Sequence, residues 1–342
     1  MRILFNHHIS GAADTIDLMR RARPDLFVIA THERLDTPIR LAADRFLPEP
    51  AATRALQPDA YADWLLEVAI TERAELVIPY RRRDELARFR DRFAARGVRL
   101  LTASDEGTMR LLEEKPDLLT RMGALGVPIT PFRLFTGLAA YEALRAGPDP
   151  FPDHPGARCV KPASGIYGAG FRILRDRLPA GSPLSGLSAL ELAEPAFRAM
   201  LAALPAPERM MLMPLLPGRE RSVDFACHEG RLLGSVTRVK TLTSQRLAHD
   251  PAGEALADLV ARTFRLTGVL NLQTMEDGAG TPRLLEVNSR ASGGVGMTGL
   301  TNVNLPGLLL DALDGRFPDA PARAEAPVLV GKREAFWAVG TD

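Results

Sequence analysis

Residues 284–294 read Leu-Leu-Glu-Val-Asn-Ser-Arg-Ala-Ser-Gly-Gly. In an extended strand, alternate side chains share a face, so Glu286, Asn288 and Arg290 are expected to point the same way. An apolar run that ends on a carboxylate, an amide oxygen and a guanidinium suits Mg²⁺ and phosphate. Mg²⁺ takes hard oxygen ligands and is usually held by one or two carboxylates plus substrate phosphates. Upstream, Leu270-Asn271-Leu272-Gln273 reads as a second strand that brings another oxygen ligand, Gln273. A surface strand with a solvated Glu and Arg is the alternative that this spacing leaves open.

Two further stretches fit phosphate chemistry. Cys159-Val160-Lys161-Pro162 reads as a strand ending in a lysine, and Ala163-Ser164-Gly165-Ile166-Tyr167-Gly168-Ala169-Gly170 follows it. Glycines permit φ > 0, so successive backbone N–H groups can converge into an anion nest, with Lys161 neutralising charge beside it. Here the lysine precedes the glycines, so this is no G-x-x-x-x-G-K-[ST] loop; a flexible β-hairpin is the rival reading. In Met211-Leu212-Met213-Pro214-Leu215-Leu216-Pro217-Gly218-Arg219-Glu220, the apolar residues can pack an adenine and Glu220 can accept from ribose hydroxyls. In isolation the same string reads rather as a buried strand and a turn.

Bulk properties narrow the class. The 342 residues are enough for two or three domains. Lys+Arg 43 against Asp+Glu 42 argues for neither nucleic-acid nor membrane-surface binding. Only four of the cations are lysines, at 115, 161, 240 and 332, which makes their positions informative. Cys159 and Cys227 sit in strand-like runs, so a reducing cytoplasm is expected rather than a disulfide framework. No signal peptide and no apolar run of transmembrane length is visible.

The first hundred residues alternate strand and helix patterns. Strands are expected at Ile3–Phe5, Leu26–Ala30, Leu76–Ile78 and Val98–Leu101, and helices at 12–22, Tyr61–Thr71 and Arg82–Arg96. That order predicts a doubly wound parallel α/β sheet. No G-x-G-x-x-G follows the first strand, which argues against a dinucleotide site. A helix is expected over 104–126, with Lys115 before Pro116 in a first turn. Residues 146–156 are rich in Pro and Gly and read as a linker. Strands are expected at 222–226 and 232–236 and a helix at 252–267. The Ala/Pro-rich tail after 315 is expected to wrap the surface.

Taken together, these pieces resemble the ATP-grasp superfamily over roughly residues 1–310, in the expected order. The Gln273 and Glu-x-Asn-x-Arg set is most similar to the carbamoyl-phosphate-synthetase-like branch, with a second likeness to ATP-grasp proteins encoded near tellurium-resistance operons. The resemblance implies a pre-ATP-grasp α/β domain at 1–103 and connecting helices and linker at 104–157. A lid with the glycine loop follows at 158–216, and an α+β ATP- and Mg-binding part at 217–342. It further implies that the nucleotide is held between two sheets. Lys115 and Lys161 match the two family lysines, and Ser164, Gly165, Gly168 and Gly170 the lid loop. Met213, Pro214, Leu215 and Leu216 match the adenine hinge, and Glu220 the ribose acid. Gln273, Glu286 and Asn288 match the metal ligands, and Arg290 the arginine that steadies the transferred phosphoryl group or the acyl phosphate. Met213-Pro214 departs from the usual hinge pair, and Pro214 has no N–H to offer.

What the resemblance implies about chemistry is an ATP-dependent ligase using Mg²⁺, with Mn²⁺ able to substitute. A substrate carboxylate attacks the γ-phosphate to give an acyl phosphate and ADP, and an amine then displaces phosphate. The expected partners are a small carboxylate and a small amine, with a homodimer as the assembly common among relatives. Arg238 and Lys240 are candidates to reach the γ-phosphate or the substrate, or else hairpin surface residues. His7, His8 and Ser10 lie beyond the first strand, where α/β ligands bind. Arg81-Arg82-Arg83 either receives an anionic substrate or is a solvated helix start. Ser292-Gly293-Gly294 either leaves room for the acceptor or is a plain turn. Two rival functions stand beside ligation: a regulatory ATP-binding module, and a carbamoyl-phosphate-type phosphotransferase.

Overall fold

The computed structural model describes residues 1–7, 11–165, 170–176, 190–241 and 243–331. They form three sheets. The first is wholly parallel: β1 (Arg2–Asn6), β2 (Phe27–His32), β3 (Arg45–Pro48), β4 (Leu76–Pro79) and β5 (Arg99–Leu100), in the order β3-β2-β1-β4-β5. Alternation in β1 sends Ile3 and Phe5 to one face and Leu4 to the other, and all three are fully buried. Leu4 packs with Ile29, Tyr61, Leu65 and Val77 under the helix Pro58–Thr71. The helix Ala12–Ala22 buries Ala12, Thr15, Ile16, Leu18 and Met19 on one stripe. Its Asp14 and its Arg20 and Arg21 sit at the ends that suit the helix dipole.

The second sheet holds β6 (Arg133–Thr136), β7 (Arg158–Pro162), β8 (Arg172–Arg175), β9 (Glu191–Ala193) and β10 (Arg209–Pro214), in the order β6-β10-β7-β8-β9. Its core gathers Phe135, Tyr141, Val160, Phe197 and Leu212.

The third sheet contains β11 (Glu220–His228), β12 (Arg231–Lys240), β13 (Gln245–Ala248), β14 (Gly268–Glu276), β15 (Pro282–Asn288), β16 (Ala322–Arg323) and β17 (Val328–Val330). Its order is β15-β14-β11-β12-β13-β17, with β16 beside β12. Residues 1–110, 221–272 and 287–342 make one compact unit, and residues 111–220 with 273–286 make the other.

Three expectations are corrected. The helix expected over Arg82–Arg96 is two α-turns, Arg83–Leu86 and Arg90–Ala94, joined by a 3₁₀ turn at Ala87–Phe89. In a 3₁₀ turn residues i and i+3 eclipse, which keeps both Leu86 and Phe89 inside. The helix expected over 104–126 is divided into Glu106–Glu113 and Lys115–Ala124. Pro116 would clash with the carbonyl four residues back in a continuous helix, so Glu114 turns extended and a new helix starts at Lys115, with Pro116 in its first turn. The tail does not merely wrap the surface, because β16 and β17 extend the third sheet. His8, Ser10, Ile166, Tyr167, Gly168, Ala169 and Lys332 lie outside the described residues.

Candidate functional site

The break before Pro116 makes Lys115 the first residue of a helix. Its backbone N–H donates to the Ala163 carbonyl (3.1 Å) and its Nζ to the Gly165 carbonyl (2.5 Å). Both acceptors belong to the glycine loop that follows β7. Val160 faces the core, so alternation turns Lys161 to the opposite face of the sheet, where it is 8% exposed. Burial pushes the Lys161 ammonium below the ordinary lysine range; the Glu286 carboxylate opposes that and the Lys115 charge adds to it. Two cations and one carboxylate thus lie close enough to feel one another, with a net charge of +1. Such a group gains from an incoming anion. Gly165 (φ +114°) and Gly170 (φ +78°) both take conformations that L side chains resist. A Cβ on Gly170 would also lie 2.7 Å from Pro162 Cγ. Ser164 is exposed beside them.

The hinge stretch is buried strand followed by turn. Met213 lies opposite Cys159 in the β10–β7 pair. Met213, Pro214 and Leu216 are buried, and the Leu215 N–H is taken by the Ala157 carbonyl (2.9 Å). The Cys159 thiol donates to the Pro214 carbonyl (3.6 Å), and burial pushes that thiol up to about 12. A Cβ on Gly218 would lie 2.4 Å from Glu276 Cβ, so only glycine lets the chain turn here. The next residue, Arg219, pairs with Glu276 (3.2 Å). Glu220, half-buried, opens β11.

Along β14, Asn271 and Gln273 share a face; along β15, Glu286 and Asn288 do. Asn288 Nδ2 donates to Asn271 Oδ1 (3.4 Å), which sets both alternations on one side of the sheet. Arg290 departs from the expected pattern: β15 ends at Asn288, so strand alternation does not reach it. It is buried, donates from Nη1 to the Ala291 carbonyl (3.2 Å), and lines a cavity of about 50 Å³ with Arg83, Thr102, Thr267 and Ser289.

Arg238 is enclosed by protein. Nε donates to Asp224 Oδ2 (2.6 Å), Nη1 to Gln245 Oε1 (2.7 Å), and Nη2 to Ser222 Oγ and Ser292 Oγ (both 2.9 Å). Asn271 Nδ2 donates to the other Asp224 oxygen (2.9 Å) and to Ser222 Oγ (2.9 Å). Lys240 lies at the exposed end of β12. Sequence reasoning missed Ser222, Asp224, Gln245 and Asn271. A signal was present: Ser222 and Asp224 are polar residues two apart in an apolar strand, facing an arginine on its neighbour.

At the carboxyl edge of the first sheet, Glu49 gathers several neighbouring side chains. Glu49, fully buried, accepts from Arg81 Nη1 (2.9 Å) and Thr53 Oγ1 (2.8 Å) and pairs with His7 Nε2 (3.0 Å). Burial raises the Glu49 carboxyl, but the His7 and Thr53 bonds and the His7 and Arg81 charges outweigh it and hold Glu49 below the ordinary range. Arg82 bonds Glu85 (2.6 Å) and the Leu56 carbonyl (2.8 Å), and Arg83 bonds Ser289 Oγ (3.2 Å). The three arginines, half-buried at the start of the Arg83–Leu86 helix, are thus bonded within the chain.

Comparison with known proteins bears on the fold and on the C-terminal part of the chain. The family described as "ATP-grasp in the biosynthetic pathway with Ter operon" matches residues 206–335, the second of the two likenesses drawn from the sequence. Carnosine synthase 1 of Gallus gallus is 36% identical over 119 residues, 30% of this chain and 13% of that protein, so the chain spans a small part of that relative. The biotin carboxylase domain of Hydrogenobacter thermophilus 2-oxoglutarate carboxylase, solved with MgADP and bicarbonate, superposes with a TM-score of 0.65 at 15% identity. That match covers 96% of this chain and 73% of the other. An L-amino acid ligase from Bacillus licheniformis gives 0.61 at 15% identity, covering 91% and 74%. Among the described residues no helix is long and apolar enough to cross a membrane.

Proposed function

We propose that the chain is an ATP-dependent ligase of the ATP-grasp type that joins a small carboxylate to a small amine, a reading that the family match over residues 206–335 and the likeness in fold support. One observation carries the reading: Lys115 is bonded twice to the glycine loop, and Lys161, buried at the base of that loop, feels the charges of Lys115 and Glu286. Glu286 offsets only one of the two buried lysine charges, so a further anion such as a nucleotide polyphosphate would be favoured there. The names of two similar proteins, an L-amino acid ligase and a carnosine synthase, favour ligation.

The residues take these roles. Lys115, Lys161 and the backbone N–H groups at Ser164, Gly165 and Gly170 hold phosphate oxygens as charge accumulates on them. Met213, Pro214, Leu215 and Leu216 enclose the adenine, and Glu220 accepts from the ribose. Gln273, Glu286 and Asn288 offer three oxygens with a single carboxylate, a set that fits Mg²⁺ shared with phosphates better than an all-protein cage. Among the described residues no cluster of three His, Cys, Asp or Glu would make such a cage. Held by these residues, Mg²⁺ would supply positive charge against the phosphates, a role Mn²⁺ could also fill. Arg290 and Lys240 orient the carboxylate.

A carboxylate oxygen attacks the γ-phosphorus, the β–γ bridging P–O bond breaks, and ADP leaves. The amine then attacks the acyl carbon, phosphate departs, and the amine proton passes to solvent. Closure of the loop excludes water that would hydrolyse the acyl phosphate. The four-part division at 103, 157 and 216 belongs to this proposal, as does a cytoplasmic location, favoured by two buried free cysteines.

The test is a screen of pooled amino acids and small carboxylates for stimulated phosphate release, with mass spectrometry of the product. An amide product supports the reading. ATP binding with no turnover under any pool would support a regulatory module instead, and a stable phosphorylated product a phosphotransferase.

A further inference from the structure

Arg238 sits at the centre of a polar network that the proposed chemistry does not use. The Asp224 carboxylate has no exposed surface and the Arg238 side chain is 6% exposed. To meet a phosphate, the guanidinium would have to abandon a buried carboxylate and leave it uncompensated, which is strongly destabilising. Every nitrogen of the group is already directed at Asp224, Gln245, Ser222 or Ser292.

The network has two ends. One runs from Asp224 through Asn271 to the Asn288 carboxamide. The other runs through Ser292, whose Oγ accepts from the Gly294 N–H (3.1 Å). A Cβ on Gly294 would lie 2.5 Å from Arg238 Nη1, so the loop backbone rests directly on the guanidinium. With Nδ2 turned to Asn271, the Asn288 Oδ1 is turned the opposite way. Partners behind a metal ligand fix its orientation in this manner.

We propose that Arg238 is a positioning residue: paired with Asp224, it holds Asn288 through Asn271 and holds the Ser292–Gly294 loop through Ser292. The proposal rests on the metal role given to Asn288 above.

The test is a Mn²⁺ titration followed by electron paramagnetic resonance at saturating ADP, with ADP affinity measured separately in EDTA. It uses the wild-type chain, Arg238→Lys and Asn271→Ala. Both variants are expected to weaken Mn²⁺ by roughly 10- to 100-fold while metal-free ADP affinity stays within about twofold. Asn271→Ala combined with Asn288→Ala is expected to be no worse than Asn288→Ala alone. If Arg238→Lys fails to melt cooperatively, Asn271→Ala, which keeps the ion pair, decides. Unchanged Mn²⁺ affinity in the folded variants overturns the positioning role while wild-type binding keeps the functional reading intact. Loss of ADP affinity in EDTA for Arg238→Lys makes Arg238 a phosphate contact and also overturns it. A wild-type chain that binds no Mn²⁺ with ADP defeats the functional reading and this proposal together.

Discussion

Lys115 bonds the glycine loop twice, from its backbone N–H to the Ala163 carbonyl and from Nζ to the Gly165 carbonyl. One residue at the start of a helix therefore sets where the loop begins. Replacing Lys115 by Met removes the Nζ bond and a positive charge but keeps the backbone bond. ATP turnover is expected to fall about 10²- to 10³-fold, the usual cost of losing one such donor. Protease cleavage within the loop is expected to speed up. Unchanged turnover and cleavage would remove Lys115 from the site.

Gly218 lies against Glu276 with no room for a methyl group. Gly218→Ala is expected to destabilise the fold by about 1–3 kcal/mol, as overpacking does, with weaker nucleotide binding because the hinge and Glu220 flank it. Chemical denaturation with ADP titration checks both effects. A variant as stable as wild type would show that the turn relaxes freely.

Glu49 supplies a pH-dependent contribution to stability. Its folded carboxyl lies below the ordinary value of 4.5. The stabilisation is therefore present above pH 4.5 and is lost as pH falls through the lower folded value. Glu49→Gln is expected to cost roughly 2 kcal/mol at neutral pH, the scale of charge-assisted hydrogen bonds. The gap to wild type is expected to close as the solution is acidified below pH 4.5. Denaturation midpoints across that range test the sign; a constant gap would contradict it.

Both cysteines are expected to resist thiol reagents in the folded chain. Burial raises the Cys159 thiol to about 12 and the Cys227 thiol further, so neither forms the reactive thiolate at neutral pH. A thiol assay should count none reacting promptly in buffer and both in denaturant. Prompt reaction of either in buffer would argue against its burial.

Local pattern told most about the first sheet. The Ile3–Phe5 run and the 12–22 stripe were legible because their burial repeats at two and at 3.6 residues. Lys161 before a glycine loop was legible too, since residue type and spacing carry that signal. The break at Glu114 was hidden because the helical pattern runs through Pro116, whose effect falls on the turn before it. The Arg238 network was hidden for another reason: Asp224, Gln245, Asn271 and Ser292 meet only through strand pairing and a distant loop. The placing of Arg290 on the same face as Glu286 and Asn288 failed because alternation was carried two residues past the end of β15.

The central claim is that Gln273, Glu286 and Asn288 share one magnesium ion with the nucleotide held by Lys115 and Lys161. The most direct measurement is a crystal structure with Mg·ADP bound. The expected result is a magnesium ion about 2.0–2.1 Å from an oxygen of each of the three side chains, with the β-phosphate against Lys161. Nucleotide or metal bound elsewhere, with those three side chains turned away from it, would contradict the account.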